Sequence, residues 1–391
     1  MLKTDRPRRL LTIAHSYCVA LNRRLAHEMA RAGKGVWEVT AVAPQFFQGD
    51  LRPVRLEEYP GELCSLEAVP VHLSRRIHVM LYGRRLREIL RVREWDVVHC
   101  WEEPYIFAGG QVALWTPQRA ALVYATFQNN RKQYPAPFNR IERYAMRRAS
   151  GWIAFGQTIK EALAPQSIYA NRPCRVIPPG VDLEKFQPDT EAKKRVRQEL
   201  GWNEAGPHVI GFLGRFVPDK GLPLLMRVLE RIETPWRALF VGSGPMEKDL
   251  REWGAQHDER VRVLTGIKHD EVPAYLNAMD ILCAPSQTMP NWREQLGRML
   301  LEAFACGVPV VASDSGEIPF VVSDAGIVIR EKDEAAWARA LEDLLVDAKR
   351  RAELSARGLE RARATYAWPV IAREHLDFFD ELLDGRENFS G

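Results

Sequence analysis

A chain of 391 residues, 46% of them hydrophobic, is too long for one core and suits two domains of about 180–200 residues each. Its net charge of +4 hides unlike halves: residues 1–180 carry 27 Lys+Arg against 15 Asp+Glu, the remainder 28 against 36. Six scattered cysteines (Cys18, Cys64, Cys100, Cys174, Cys283, Cys306) with no Cys-x-x-Cys spacing argue against a zinc site or redox pair and fit a reducing cytoplasm, and no apolar stretch approaches the length of a membrane span.

The opening stretch to Arg9 is basic, but Leu10–Ala14 is too short for the apolar core of a signal peptide and reads as a first strand. Further strands are expected at Glu38–Ala43, Asp96–Cys100, Leu122–Ala125, Trp152–Phe155 and Arg175–Pro178. Helical patterns fall between them, at about 19–32, 77–93, 104–115, 137–148 and 158–164. The stretch from Arg75 to Arg93 concentrates arginine beside an apolar stripe of Ile77, Leu81, Leu86, Ile89 and Leu90. Such a helix can lie on an anionic bilayer; the plainer alternative is a covering helix with a solvated basic face. A basic first half calls for an anionic partner. Nucleic acid is a poor candidate, because no recognised binding module accompanies the charge.

The second half repeats the alternation, with strands expected at about 208–213, 237–241, 261–264, 281–284 and 308–312. Helical patterns at 333–347 and 348–365 precede Tyr366 and Pro369, and a last helix runs to about Leu383. Strand–helix alternation of this kind predicts parallel sheets covered by helices on both faces, in two doubly wound α/β domains. Ligands then belong at the carboxyl ends of the strands. No internal repeat indicates a solenoid.

Within that frame, His208–Gly214 reads as a buried strand ending in glycine, and Arg215 and Lys220 follow it. Arginine grips phosphate oxygens in a fork and lysine adds a mobile charge; a surface Arg and Lys in an ordinary loop is the plain alternative. About eighty residues on, Glu294 and Glu302 bracket the run Glu294–Glu302. If that run is helical, their offset spans about 12 Å along the axis, enough for one carboxylate at each end of an extended nucleotide sugar. The diphosphate would then lie near the amino end of the helix, where N–H groups and the macrodipole favour anions.

Together these residues resemble the retaining glycosyltransferases of family 4, glycosyl transferases group 1, which have the GT-B fold. The segments Val176–Pro188, Phe240–Pro245, Asp280–Ser286 and Ser313–Pro319 are similar to family segments in the same order. The likeness is specific over about residues 175–325 and looser before. It implies two Rossmann-like domains facing each other across a cleft: an acceptor domain over 1–178, joined by a returning C-terminal helix at 368–385, and a donor domain over 179–367. It further implies that Arg215 and Lys220 hold the diphosphate, with Glu294 on donor-sugar hydroxyls and Glu302 on the ribose. Gly214 and the backbone of Gln295, Leu296 and Gly297 would face the phosphates and sugar, and Gly266, Ile267 and Lys268 the nucleobase. Since Arg215 and Lys220 can neutralise the leaving pyrophosphate, no metal ion and no other cofactor is expected.

The first half departs from the family pattern. A glycine pair after the first strand is replaced by His15, Ser16 and Tyr17, whose side chains are then expected to make the contact. A histidine after the fourth strand is replaced by Gln128, which can hydrogen-bond a sugar hydroxyl but not act as acid or base. His99, Glu102 and Glu103 sit at predicted strand ends as further acceptor or sugar contacts. The resemblance implies transfer from a nucleoside diphosphate sugar to a glycan or lipid-linked hydroxyl acceptor, in the cytoplasm or peripherally at the inner membrane face. The leaving phosphate oxygen would take the acceptor's proton. A nucleotide-sugar epimerase, a phosphorylase and a non-catalytic nucleotide-sugar-binding protein remain alternatives on the same fold.

Overall fold

A computed structural model describes residues 6–49, 53–130, 132–203 and 205–387; Met1–Asp5, part of the basic opening, lies outside them. The chain divides into two compact units, Met1–Pro179 with Trp368–Gly391, and Gly180–Ala367.

In the first unit the strands are β1 (Arg8–Ile13), β2 (Trp37–Pro44), β3 (Ser65–Val69), β4 (Val97–Cys100), β5 (Ala121–Thr126), β6 (Gly151–Ala154) and β7 (Cys174–Val176). Among the described residues they form one sheet in the order β7-β6-β5-β4-β1-β2-β3, and every neighbouring pair is parallel. Strands covered on both faces need apolar residues throughout, and β5 is buried at all six positions. The helices that matter below are α1 (Arg24–Ala32), α2 (Arg84–Val92), α3 (Phe107–Trp115) and α4 (Phe138–Arg148).

The expected helix over 77–93 is broken. A 3-10 turn at Ile77–Val79 and a two-residue strand at Leu81–Tyr82 precede Gly83, and only α2 follows. Leu86, Ile89 and Leu90 of its stripe are buried in the core, while Arg84, Arg85, Arg87 and Arg91 are exposed. The apolar face that was a candidate for a bilayer is thus spent on the protein's own sheet. What remains outside is a basic face, partly neutralised by Arg85 pairing with Glu67 and Glu88.

In the second unit the strands are β8 (His208–Arg215), β9 (Trp236–Ser243), β10 (Val261–Leu264), β11 (Ile281–Ala284), β12 (Val310–Ser313) and β13 (Ile327–Ile329). Among the described residues their order is β10-β9-β8-β11-β12-β13, again all parallel. Side chains alternate between two cores: Ala238 and Phe240 of β9 enter one, Leu239 and Val241 the other. Helix α5 (Leu222–Arg231) follows β8, and α6 (Arg298–Ala305) lies between β11 and β12. The sequence reading missed β3 and β13. Both are edge strands, only partly buried, so neither carries the continuous apolar run that marks the interior strands.

The last helix, α7 (Trp368–Glu387), belongs to the first unit. Its Ile371, Ala372, Leu376 and Phe379 are buried, Phe379 lies 6.3 Å from the Trp37 ring, and the helix packs along α1. Each fully buried side chain of this size contributes about 1.5–3 kcal/mol before the entropy of ordering it.

Candidate functional site

In an open parallel sheet the connections run in opposite directions on either side of one strand pair, and the crevice beyond that pair's carboxyl ends is where ligands bind. In the second unit this pair is β8 and β11. The chain leaves β8 at Arg215, makes a 3-10 turn at Pro218–Lys220 and enters α5. It leaves β11 at Ala284 and runs through Ser286, Trp292 and Glu294 before α6.

Three strand-end loops meet there. The Lys220 ammonium lies 2.5 Å from Glu294 Oε2 and 4.7 Å above the Trp292 ring. The Ser286 hydroxyl donates to the same carboxylate oxygen at 2.8 Å. Ser286 is itself fixed, its carbonyl accepting from the Ser313 hydroxyl at 2.6 Å. The Glu317 N–H donates to the Glu294 carbonyl at 3.0 Å, tying in the loop after β12. Both members of the Lys220–Glu294 pair are largely buried, so the pair is far better shielded from screening than a surface one.

Glu294 and Glu302 do not share a helix. Gly297 adopts a left-handed conformation at φ 77° and caps α6, which begins at Arg298. That backbone suits glycine and breaks the helical run, so an offset of eight does not become an axial repeat. Glu294, Gln295, Leu296 and Gly297 form the loop leading into α6, and no side chain caps its amino end. The Leu296 side chain is buried, leaving its backbone as the part that can meet a ligand.

Glu302, in the second turn of α6, is 6% exposed. Burial pushes its carboxyl up to about 7 against the opposing pull of Arg298 and Lys185. Among the described residues no hydrogen bond reaches that carboxylate. Arg298 and Lys185 also act on His269, whose pKa is lowered by burial and then by those two cations. His269 lies 5.8 Å from the Phe186 ring, and Lys185 pairs with Asp270 at 2.6 Å. The loop Gly266–Lys268 lies beside them in sequence, with Ile267 packed on the core and the Lys268 N–H donating to Glu271 at 2.9 Å. Lys185, His269, Arg298, Ser286 and Trp292 were not singled out from sequence, although Lys185 and Ser286 fall inside segments that carried the family likeness.

Gly214 is the penultimate residue of β8. Arg215, next to it, stands apart from the cluster. Its side chain is 66% exposed and, among the described residues, reaches only Asp219, at 4.0 Å.

In the first unit the corresponding strand pair is β1 and β4. Just beyond it, Glu102 accepts from the His15 backbone N–H at 2.6 Å, from His15 Nδ1 at 2.8 Å and from the Tyr82 hydroxyl at 2.6 Å. Burial would raise the Glu102 pKa, but His15 and Tyr82 outweigh it and hold it below the usual carboxylate range. Burial would lower His15, yet Glu102 outweighs it and raises its pKa. Ser16, half-buried beside them, offers its carbonyl to Asn22 at 3.0 Å. Glu103 accepts from the Thr126 hydroxyl at 2.6 Å and the Phe127 N–H at 2.9 Å, while burial pushes it up to about 7. Gln128 is 7% exposed, and its side-chain oxygen is buried with no hydrogen-bond partner among the described residues.

Two of the expected contact residues are interior instead. The Tyr17 hydroxyl meets Thr12 at 2.9 Å, and its ring is fully buried. His99 is also fully buried. Trp101 donates to its Nε2 at 3.0 Å, so the neutral ring carries its proton on Nδ1, facing Thr12 at 3.2 Å. Both residues stabilise the sheet's core and cannot touch an acceptor there, which corrects their reading as contact residues.

The Glycosyltransferase Family 4 model matches residues 20–185 and the Glycosyl transferases group 1 model residues 192–361. The chain is 36% identical to a GDP-mannose-dependent alpha-(1-6)-phosphatidylinositol monomannoside mannosyltransferase of Mycolicibacterium smegmatis, over 54% of this chain and 56% of that protein. The chain thus spans little more than half the length of that relative. It is 29% identical to a lipopolysaccharide core biosynthesis mannosyltransferase of Rhizobium meliloti, over 88% of this chain and 98% of the relative. Sucrose-phosphate synthase from Thermosynechococcus elongatus superposes with a TM-score of 0.70 at 20% identity, covering 97% of this chain and 100% of that one. At that identity the likeness speaks to fold, which is GT-B with two Rossmann-like domains. With both family models in register along the chain and the strand-end cluster assembled, the protein belongs to the family 4 glycosyltransferases of glycosyl transferases group 1.

Proposed function

We propose that the protein transfers a hexose from a nucleoside diphosphate sugar to a hydroxyl acceptor, with retention at the anomeric carbon and without a metal ion. The observation that carries this reading is the meeting of Lys220 and Glu294 at the switch point of the second sheet, directly ahead of a helix whose amino end no side chain caps. The macrodipole and N–H groups at a helix amino end favour a diphosphate. Lys220 neutralises it, and the exposed Arg215 side chain adds a second positive charge. Glu294, oriented by Ser286, accepts from donor-sugar hydroxyls. Glu302 accepts from the ribose hydroxyls, where paired hydroxyls suit a carboxylate that nothing else occupies.

Chemistry in such a site is stabilisation of the departing diphosphate and positioning of the nucleophile. The acceptor hydroxyl attacks the face that the diphosphate is leaving, and its proton passes to the departing phosphate oxygen. His15, Glu103 and Gln128 orient the acceptor, with the fully buried Glu102 holding the His15 ring. GDP-mannose is the first donor to test, because relatives over both half and nearly the full length are mannosyltransferases. Their activities also point to a lipid-linked or cell-surface glycan as acceptor, reached from the cytoplasmic side with peripheral contact through the basic first unit.

Purified protein is incubated with GDP-mannose, UDP-glucose or UDP-N-acetylglucosamine and a panel of glycolipid acceptors, with and without EDTA. The expected product keeps the donor's anomeric configuration by NMR, and EDTA leaves the rate unchanged. An inverted product sinks retention, and loss of turnover in EDTA sinks metal independence. Isomerised donor without transfer would instead favour an epimerase.

A further inference from the structure

A second charged site lies in the first unit, at the end of the sheet opposite His15 and Glu102. The segments entering β5, β6 and β7 there line, with the end of α7, an open cavity of about 840 Å³. Five arginines line it: Arg119, Arg147, Arg148, Arg172 and Arg386. Among the described residues the one carboxylate on its wall is Glu381, already bonded to Arg175 at 2.5 Å.

Backbone carbonyls hold three of these guanidiniums in place, while Arg119 pairs with Glu94 at 3.5 Å. Arg148 donates to the Thr116 carbonyl at 2.9 Å, Arg172 to the Arg147 carbonyl at 2.9 Å, and Arg386 to the Gln118 and Arg119 carbonyls at 3.2 and 3.1 Å. Capping the last carbonyls of α3 and α4 is a structural reason for a basic residue here. It does not account for five. Arg148 and Arg172 each commit one N–H of the five a guanidinium carries, and the crowding has a cost, since burial and then the neighbouring Arg148 lower the Arg386 pKa. A planar fork held by carbonyls, with further N–H groups to offer, suits phosphate oxygens.

We propose that this arginine-lined cavity binds a multiply charged, phosphate-bearing anion, at a site separate from the donor crevice. The fixed guanidiniums supply several charge-assisted hydrogen bonds at once, and the anion relieves their mutual repulsion.

The full chain is titrated calorimetrically with sodium tripolyphosphate, beside Arg147→Glu/Arg172→Glu, Arg147→Lys/Arg172→Lys and Lys220→Ala. Affinity should fall at least about tenfold in the double glutamate variant, the scale of losing charge-assisted hydrogen bonds. It should largely survive in the double lysine variant, and Lys220→Ala should leave this binding event in place. Circular dichroism and melting without anion establish that each variant is folded. Co-sedimentation with phosphatidylcholine vesicles, with and without phosphatidylglycerol, separates the two sources of such an anion. Capture by anionic vesicles that the glutamate variant loses identifies a lipid headgroup, and tripolyphosphate binding alone identifies a soluble polyphosphate; both support the site. Binding of either probe that ignores Arg147 and Arg172, or that Lys220→Ala abolishes, overturns it, as does the absence of binding.

Discussion

Gly221 lies so close beneath Pro285 that a Cβ on it would stand 1.8 Å from the Pro285 carbonyl oxygen. This contact presses the loop carrying Lys220 onto the loop carrying Ser286, and so builds the crevice from two separate strand ends. Gly221 also sits at φ 77°, where an L side chain costs about 1–2 kcal/mol before any overlap. Gly221→Ala should therefore lower stability by more than that, measured by urea denaturation, and reduce kcat/KM even at temperatures where the variant is folded.

Removing one partner of a largely buried pair leaves an uncompensated charge. Lys220→Ala should cost about 3–5 kcal/mol if Glu294 stays ionised, lessened by the Ser286 hydrogen bond. Lys220→Ala/Glu294→Gln should recover much of that stability but no transfer activity. A double-mutant cycle on melting and turnover separates the two effects; full additivity in stability would show that the pair is not coupled.

Glu302 opposes folding where it is ionised. Its pKa is raised from 4.5 to about 7, so its favourable contribution is present below the unfolded value and is lost as pH rises through the folded one. At pH 8 the penalty is on the order of 3 kcal/mol. Glu302→Gln should then melt higher than the parent at pH 8 and equally at pH 4. The same change should raise the donor KM about tenfold or more, as expected for a lost hydrogen bond to a charged acceptor, with a smaller effect on kcat. Parent donor affinity should also weaken below about pH 7, measured by isothermal titration.

His375 works in the opposite sense. Burial lowers its pKa from 6.5 to about 4, and His99, 5.3 Å away, is lowered as well by burial and by His375. A depressed histidine contributes stability that is present above the unfolded pKa and lost as pH falls through the folded one. Between about pH 6.5 and 4, stability should fall by about 1.4 kcal/mol per unit for each such ring. His375→Gln should flatten that slope in a pH series of denaturation curves; an unchanged slope would show that another group is responsible.

Among the described residues the Arg215 side chain makes one long contact, so its removal should barely change stability. Arg215→Ala should nonetheless lower kcat/KM by about a hundredfold, the scale for a transition-state charge contact. Equal rates at saturating donor would remove it from the mechanism.

The interior strands were legible because each is an apolar run between turn residues, as β5 and β11 illustrate. Edge strands β3 and β13 were not, because one flank of each meets solvent. Arg215, Lys220, Glu294 and Glu302 were legible as residue types in order, but not their geometry. A left-handed Gly297 that ends the helix early leaves no trace in hydrophobic periodicity. His99 and Tyr17 failed for a different reason: polar rings at strand ends look alike from sequence whether they face solvent or meet Thr12 inside. The Lys185–Asp270 pair and the Phe186–His269 contact join segments more than eighty residues apart, and no local pattern announces such a meeting.

Helix α7 has a consequence for how the protein is made. Polypeptides emerge amino terminus first, and the residues that cover α1 and Trp37 come only after the whole of the second unit. While the ribosome is still at work, the first sheet stands with Trp37 bare, a sticky surface awaiting its lid. Shortening the tail ahead of Phe379 would therefore strike the half of the enzyme made first, and its symptom would be aggregation of nascent chains rather than slower turnover.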